Sequence, residues 1–306
     1  NIIFTDIPTA TNNAFQDGNL IATKYYRVIV TSNLCGTADT SNIIIVTVLP
    51  EFLPGNITET QTICYNTVPN QLTGTNSSGG ETPYDYQWEQ SIDGINYSNA
   101  IGTGSTSLDF TPIALTQTTI FRLKYIDNCG TVYSNEVTIT VYPDIQPATI
   151  ASNQTICYNT IPDEISILTP ANGGNDIFNN QWQIKNGAVW EDIPGETADT
   201  YQPSSLTSST QYRLKSNSDY GCGDVYSAEI TITVYDQINA GVIVESQTIC
   251  YDTSPTQFVF STDPSGEGEN YSYQWQISSD NIIFTDIPTA TNNAFQEGNL
   301  IATKYY

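Results

Sequence analysis

The residues in this 306-residue sequence best suited to covalent chemistry are its six cysteines. Cys64, Cys157 and Cys250 each follow Gln-Thr-Ile at a spacing of 93 residues, and Cys35, Cys129 and Cys222 form a second series. From Cys64 to Cys129 is 65 residues, and Cys157 to Cys222 is again 65. Thiols at regular spacing in a strand-rich chain with no His and no Met suggest disulfides and an oxidising, extracellular setting. The constant spacing favours bridges within each repeat, Cys64–Cys129 and Cys157–Cys222, with Cys35 and Cys250 pairing outside the window. Each loop would contribute roughly 4 kcal/mol on the chain-entropy account. A rival scheme pairs Cys35 with Cys64, Cys129 with Cys157 and Cys222 with Cys250, at separations of 29, 28 and 28 residues. It is disfavoured because a strand of about ten residues follows Cys222 and carries the chain roughly 30 Å away.

Other chemistry finds little support. Without His there is no imidazole base and no Ser-His-Asp or Cys-His arrangement. Neither a P-loop nor a G-x-G-x-x-G occurs, and one active site would break a repetition that no module breaks. The chain therefore reads as a non-enzyme, with no resident cofactor. Its 32 acidic against 8 basic residues give a net charge of -24, which argues against nucleic acid or an anionic membrane as partner. Solubility and self-repulsion explain the acidity, and calcium held by surface carboxylates is the sharper alternative. No apolar run reaches 18 residues, so membrane insertion is not expected.

The cysteines must be positioned by strands. Abundant Thr, Asn, Ile and Val with 20 Tyr suits pleated, half-buried strands and polar turns. Trp88, Trp182 and Trp275 mark a central strand and read as core anchors. Turn dipeptides follow at Asp93-Gly94, Asn186-Gly187 and Asp280-Asn281. An aromatic comes next each time: Phe4, Tyr97, Trp190 and Phe284. Val137, Ile139 and Val141 alternate with Thr, as do Ile230, Ile232 and Val234, which predicts a strand with one buried face. Arg122 and Arg213 alternate with apolar neighbours and are expected to face solvent beside acidic residues.

Two periods are nested. The unit of about 93 residues is diverged, whereas residues 1–26 recur at 281–306 with one change, Asp17 becoming Glu297. Boundaries fall after the last strand of each unit: residues 1–50 form the C-terminal part of a module, 51–143 and 144–236 two complete modules, and 237–306 the N-terminal part of another. Cut ends suggest a window onto a longer repetitive protein. Short strands with turns every 8–12 residues predict an all-β chain of tandem immunoglobulin-like β-sandwich modules in an extended array.

The combined pattern is Thr-Ile-Cys, a Gly-rich loop, Tyr-Gln-Trp, an Asp-Gly turn, Phe-Arg or Tyr-Arg, Cys-Gly, then Val-Thr-Ile-Thr-Val. It resembles the immunoglobulin-like, PKD-like repeats of giant gliding-motility adhesins of Bacteroidota. That resemblance implies export by type IX secretion and an extracellular location, on the cell surface and attached to the outer membrane. It also implies a role as the repetitive stalk of a long adhesin filament, mediating attachment and force transmission in gliding motility. Implied partners are neighbouring modules, a substratum or surface polysaccharide, and the gliding machinery through regions outside this sequence. The alternative is a set of polysaccharide-binding modules acting by avidity through the loops at residues 76–83, 172–179 and 263–271.

Overall fold

The structure, a computed structural model, describes residues 2–306. Every regular element among them is a β-strand. The chain divides into two compact units, residues 1–144 and 145–306.

In the first unit, β1 (Lys24–Tyr26), β2 (Ile29–Thr31), β3 (Ala38–Thr40) and β4 (Ile44–Val46) form two isolated ribbons, β1-β4 and β2-β3. No side chain among residues 2–50 is buried. Ile21 and Leu34 are almost fully exposed, because these strands have no facing sheet to bury them.

Residues 51–143 make a complete sandwich. Its strands are β5 (Gln61–Ile63), β6 (Leu72–Thr73), β7 (Asp85–Ser91), β8 (Ser98–Asn99), β9 (Gly102–Thr103), β10 (Asp109–Pro112), β11 (Thr119–Asp127), β12 (Gly130–Tyr133) and β13 (Val137–Val141). One sheet runs β5-β13-β11-β7-β8 with β12 also on β11, and the other runs β6-β10-β9. Between them lie Leu72 and Phe110 from the small sheet and Trp88, Phe121, Leu123, Tyr125, Val137 and Ile139 from the large one. Along β11 burial alternates, so Phe121, Leu123 and Tyr125 point inward while Arg122 and Lys124 lie on the opposite face. Strand β13 alternates in the same way.

Trp88 shows why one residue type recurs at this place. Its ring is fully buried, stacks on Phe110 at 5.3 Å, and donates its indole N–H to the Ser107 carbonyl at 2.8 Å. Burying so large a side chain contributes on the order of 3 kcal/mol, and the hydrogen bond removes the penalty for its one polar atom. Trp182 donates likewise to Ala198, and Trp275 to Asn292.

In the second unit, residues 145–236 form another complete sandwich. Its strands are β14 (Thr149–Ile150), β15 (Gln154–Ile156), β16 (Ile165–Thr169), β17 (Phe178–Asn186), β18 (Val189–Asp192), β19 (Thr200–Tyr201), β20 (Thr210–Ser218), β21 (Asp224–Tyr226) and β22 (Ile230–Val234). The sheet orders are β15-β22-β20-β17-β18, with β21 on β20, and β14-β16-β19. Ile165, Trp182, Tyr212, Leu214, Ile230 and Ile232 fill the space between. The expected turn at Asn186-Gly187 lies one residue later, since Asn186 pairs with Val189 and leaves Gly187 and Ala188 at the tip.

Beyond it, β23 (Val242–Ile243), β24 (Phe260–Thr262), β25 (Gln276–Ile277) and β26 (Thr285–Asp286) form two more ribbons. Here Phe258, Trp275, Phe295 and Tyr306 cluster, and an open apolar groove remains beside Ile243, Phe260 and Tyr273.

Candidate functional site

The first strand of each complete module sets its polarity. β5 runs parallel to β13, with Gln61 opposite Ile139 and Ile63 opposite Val141. β15 runs parallel to β22 in the same register, with Ile156 opposite Val234. First and last strands that run the same way bring the chain in at one pole and let it out at the other. At the downstream pole the Tyr142 N–H donates to the Ile63 carbonyl, and the Tyr235 N–H donates to that of Ile156. Cys64 and Cys157 directly follow the residues whose carbonyls accept these bonds, so both lie at the downstream pole.

The second cysteine series lies at the other pole. Thr119, at the start of β11, pairs with Ile139, and eight residues later the strand ends at Asp127. Cys129 follows in the turn to β12, where its N–H donates to the Asp127 carboxylate at 2.7 Å. Asp127 also accepts the Glu81 N–H, and Gly80 beside it donates to the Pro50 carbonyl. Cys129 therefore sits by the incoming chain. Cys222 occupies the matching turn after β20, where the Ser218 N–H donates to the Gly223 carbonyl. Ser218 lies against Gly174, which also faces Ile145.

This arrangement corrects the expected pairing. Cys129 and Cys157 carry free, exposed thiols, as do Cys35 and Cys250, whereas Cys64 and Cys222 are disulfide-bonded. Neither Cys64–Cys129 nor Cys157–Cys222 is formed. The reason is strand rise: β11 alone carries the chain roughly 26 Å from one pole to the other, and a disulfide needs Cα atoms within about 7 Å. The rival pairs of close sequence neighbours are absent too, since each contains a free thiol. Burial, with help from the Asp127 and Glu81 carboxylates, raises the Cys129 thiol above its ordinary pKa and so disfavours its thiolate.

A second recurrent feature lies on the outer face of the large sheets. Arg122 is sandwiched between the rings of Tyr97 and Tyr133, at 3.6 and 4.1 Å, and its guanidinium meets Glu89 at 2.7 Å. Arg213 lies between Trp190 and Tyr226 at 4.5 and 4.1 Å, but its Nε–H donates to the neutral Gln183. Arg27 covers Phe4 at 4.2 Å. The recurrent aromatics Phe4, Tyr97 and Trp190 thus each serve as one wall of a cation–π stack. The arginines are less solvated than expected: the Arg122 side chain is 23% exposed and that of Glu89 only 12%. Tyr97 donates to Glu136 at 2.6 Å, and burial together with that carboxylate pushes its phenol up to about 12.

The Gly-rich loops pack beneath the incoming chain. Gly79, at a φ of 72°, would place a Cβ 1.9 Å from the Glu51 carbonyl oxygen, and Gly266 approaches that of Gln237 in the same way. The Tyr84 and Tyr271 hydroxyls donate to the Gly79 and Gly266 carbonyls. In the near-identical ends, Asp17 accepts the Tyr26 hydroxyl, and its substitute Glu297 accepts that of Tyr306. Tyr65 and Tyr251 are exposed. Among the described residues, no group of three or more His, Cys, Asp or Glu is placed to hold a metal ion, and no helix is long and apolar enough to cross a membrane.

Comparison with known proteins adds a family. Four stretches, residues 1–50, 53–143, 146–236 and 239–306, match the family described as "Domain of unknown function (DUF8696)". Among curated proteins none matches the sequence. A similar solved structure is that of the three N-terminal domains of the bacteriophage RB49 Highly Immunogenic Outer Capsid protein (Hoc). It is 13% identical, with a TM-score of 0.30, over 82% of this chain and 80% of that one.

Proposed function

Since the chain belongs to the DUF8696 family and carries its domain in tandem, we propose that it is a stalk segment of a long cell-surface adhesin filament, giving reach and transmitting force during surface attachment and gliding. The observation that carries this reading is the parallel pairing of the first and last strands in both complete modules. A pull on the two ends of such a module loads the ladder between β5 and β13 along the strands. Its hydrogen bonds must then yield together rather than one at a time. Each complete module also has its own core, so failure of one leaves the other's packing intact.

In this reading the chain is extracellular and attached to the outer membrane through regions outside this sequence. It acts without catalysis or a cofactor, and its net charge of -24 discourages collapse between modules. Polysaccharide capture by the loops at 76–83, 172–179 and 263–271 is the weaker alternative. Their glycines and tyrosines are already engaged beneath the incoming chain. Electron microscopy of longer arrays tests the proposal: beaded, extended fibres are expected, and compact globules would refute it.

A further inference from the structure

We propose that the β17–β18 hairpin carries a site of spontaneous covalent modification, at which Asn186 loses its side-chain amide through a cyclic imide with Gly187, while the fold protects the chain's other Asn-Gly pair. In this dipeptide the glycine nitrogen can reach the asparagine side chain, because no Cβ stands in the way. The sequence holds two such pairs, Asn172-Gly173 and Asn186-Gly187. Both lie within residues 145–236.

Their surroundings differ. The Gly173 N–H, which would have to supply the attacking nitrogen, donates to the Asp176 carboxylate at 2.8 Å, and Gly173 is buried. Asn172 is pinned as well, since its N–H and carbonyl both bond to Gln146. Asn186 and Gly187 are exposed at the hairpin tip. The Gly187 N–H has no hydrogen-bond partner among the described residues, and a Cβ on Gly187 would meet nothing within 4 Å. The Asn186 amide is held only by two long bonds to Glu191, each 3.4 Å.

The sister hairpins show what this one lacks. In residues 51–143 the Ser91 hydroxyl accepts the Gly94 N–H at 3.0 Å, and in residues 237–306 Ser278 accepts the Asn281 N–H at 3.0 Å. Each serine stands three residues after the central Trp, where residues 145–236 carry Lys185. Asp93 is also a poor target for ring closure. The Asn96 and Ile95 N–H groups hold its carboxyl well below the usual carboxylate range, so it stays ionised.

The reaction balances with water alone. The Gly187 nitrogen gives its proton to hydroxide and bonds to the Asn186 side-chain carbonyl carbon, and Nδ2 leaves as ammonia. Water then opens the imide at either carbonyl, giving aspartate or isoaspartate. Either product sets a carboxylate against Glu191, where an amide had donated. Isoaspartate also adds a carbon to the backbone beside the Lys185–Trp190 pair, whose Trp ring walls Arg213. The product should therefore loosen β18. None of this depends on the stalk reading.

The test incubates the whole 306-residue chain in mildly alkaline buffer, native and in urea, with peptide mapping over time. In the native chain, loss of the Asn186 amide to a mixture of aspartate and isoaspartate is expected while Asn172 stays intact. In urea both should convert. Conversion of Asn172 alongside Asn186 in the native chain, or a native Asn186 that stays amidated, would overturn the proposal. Aspartate without isoaspartate would exclude the imide route. Hydrogen exchange reads the consequence: β18 amides should exchange faster in the converted fraction, and unchanged rates would refute the loosening.

Discussion

Ile63 lies opposite Val141 in a parallel ladder, and the residue after Ile63 is a cysteine. That one register decides where the first cysteine series sits, which way each module is strung, and how a pull on its ends is resisted.

Separate cores predict separate unfolding. W88A removes a fully buried ring that stacks on Phe110, and should cost about 3–5 kcal/mol in residues 51–143. Denaturant titration of the reduced chain, followed by hydrogen exchange, should show that loss there while amides of β17 and β20 keep their protection. Equal loss in both modules would contradict independent packing.

The two arginine stacks should respond unequally to truncation. R122A strands the nearly buried Glu89 carboxylate, a loss of about 3 kcal/mol. R213A leaves only the neutral Gln183 and an emptied aromatic slot, about 1–2 kcal/mol. Thermal denaturation of the two variants, each read in its own module, measures the difference. Equal losses would show that the ion pair adds nothing beyond the stack.

Backbone strain alone can be separated from close approach. Gly187 and Gly79 both have positive φ, 60° and 72°, yet only Gly79 faces a neighbouring carbonyl. G187A should cost about 1 kcal/mol, and G79A more than about 2 kcal/mol, because the incoming chain must move as well. Urea midpoints for the two variants decide it.

Alkali should unfold the complete modules through their buried phenols. Burial pushes Tyr125 and Tyr212 up to about 12, against about 10 in an unfolded chain. A raised folded pKa stabilises fully below pH about 10, and that contribution is lost as pH rises through about 12. Tyrosinate absorbance should therefore show a late-ionising fraction that appears together with loss of β-sheet circular dichroism. Complete ionisation near pH 10 with the sheets intact would contradict the burial.

Much of this architecture was legible in the sequence, for identifiable reasons. The 93-residue period, the alternation in Val137–Val141 and the lone Trp of each central strand report residue type against burial, which the pleat translates directly into structure. The cysteine pairing was not legible. A constant separation of 65 counts residues along the chain but ignores the direction of the strands between, and β11 uses that separation to cross from pole to pole. Alternation alone puts Arg122 and Arg213 on the outer face, but it carries no sign of their aromatic walls. Tyr97 and Trp190 recur in the sequence without an evident partner, and matching them to arginines across an intervening strand requires the register. The end segments, 2–50 and 237–306, repeat the same letters but lack the facing strands, so most of their apolar residues stay exposed.

The most direct test of the stalk reading is single-molecule pulling on the 306-residue chain, held at its two ends in reducing buffer. Parallel end strands loaded in shear predict two distinct, high-force ruptures, one for each complete module, with the ribbons at either end yielding earlier at low force. A single concerted rupture, or smooth extension without force peaks, would contradict it.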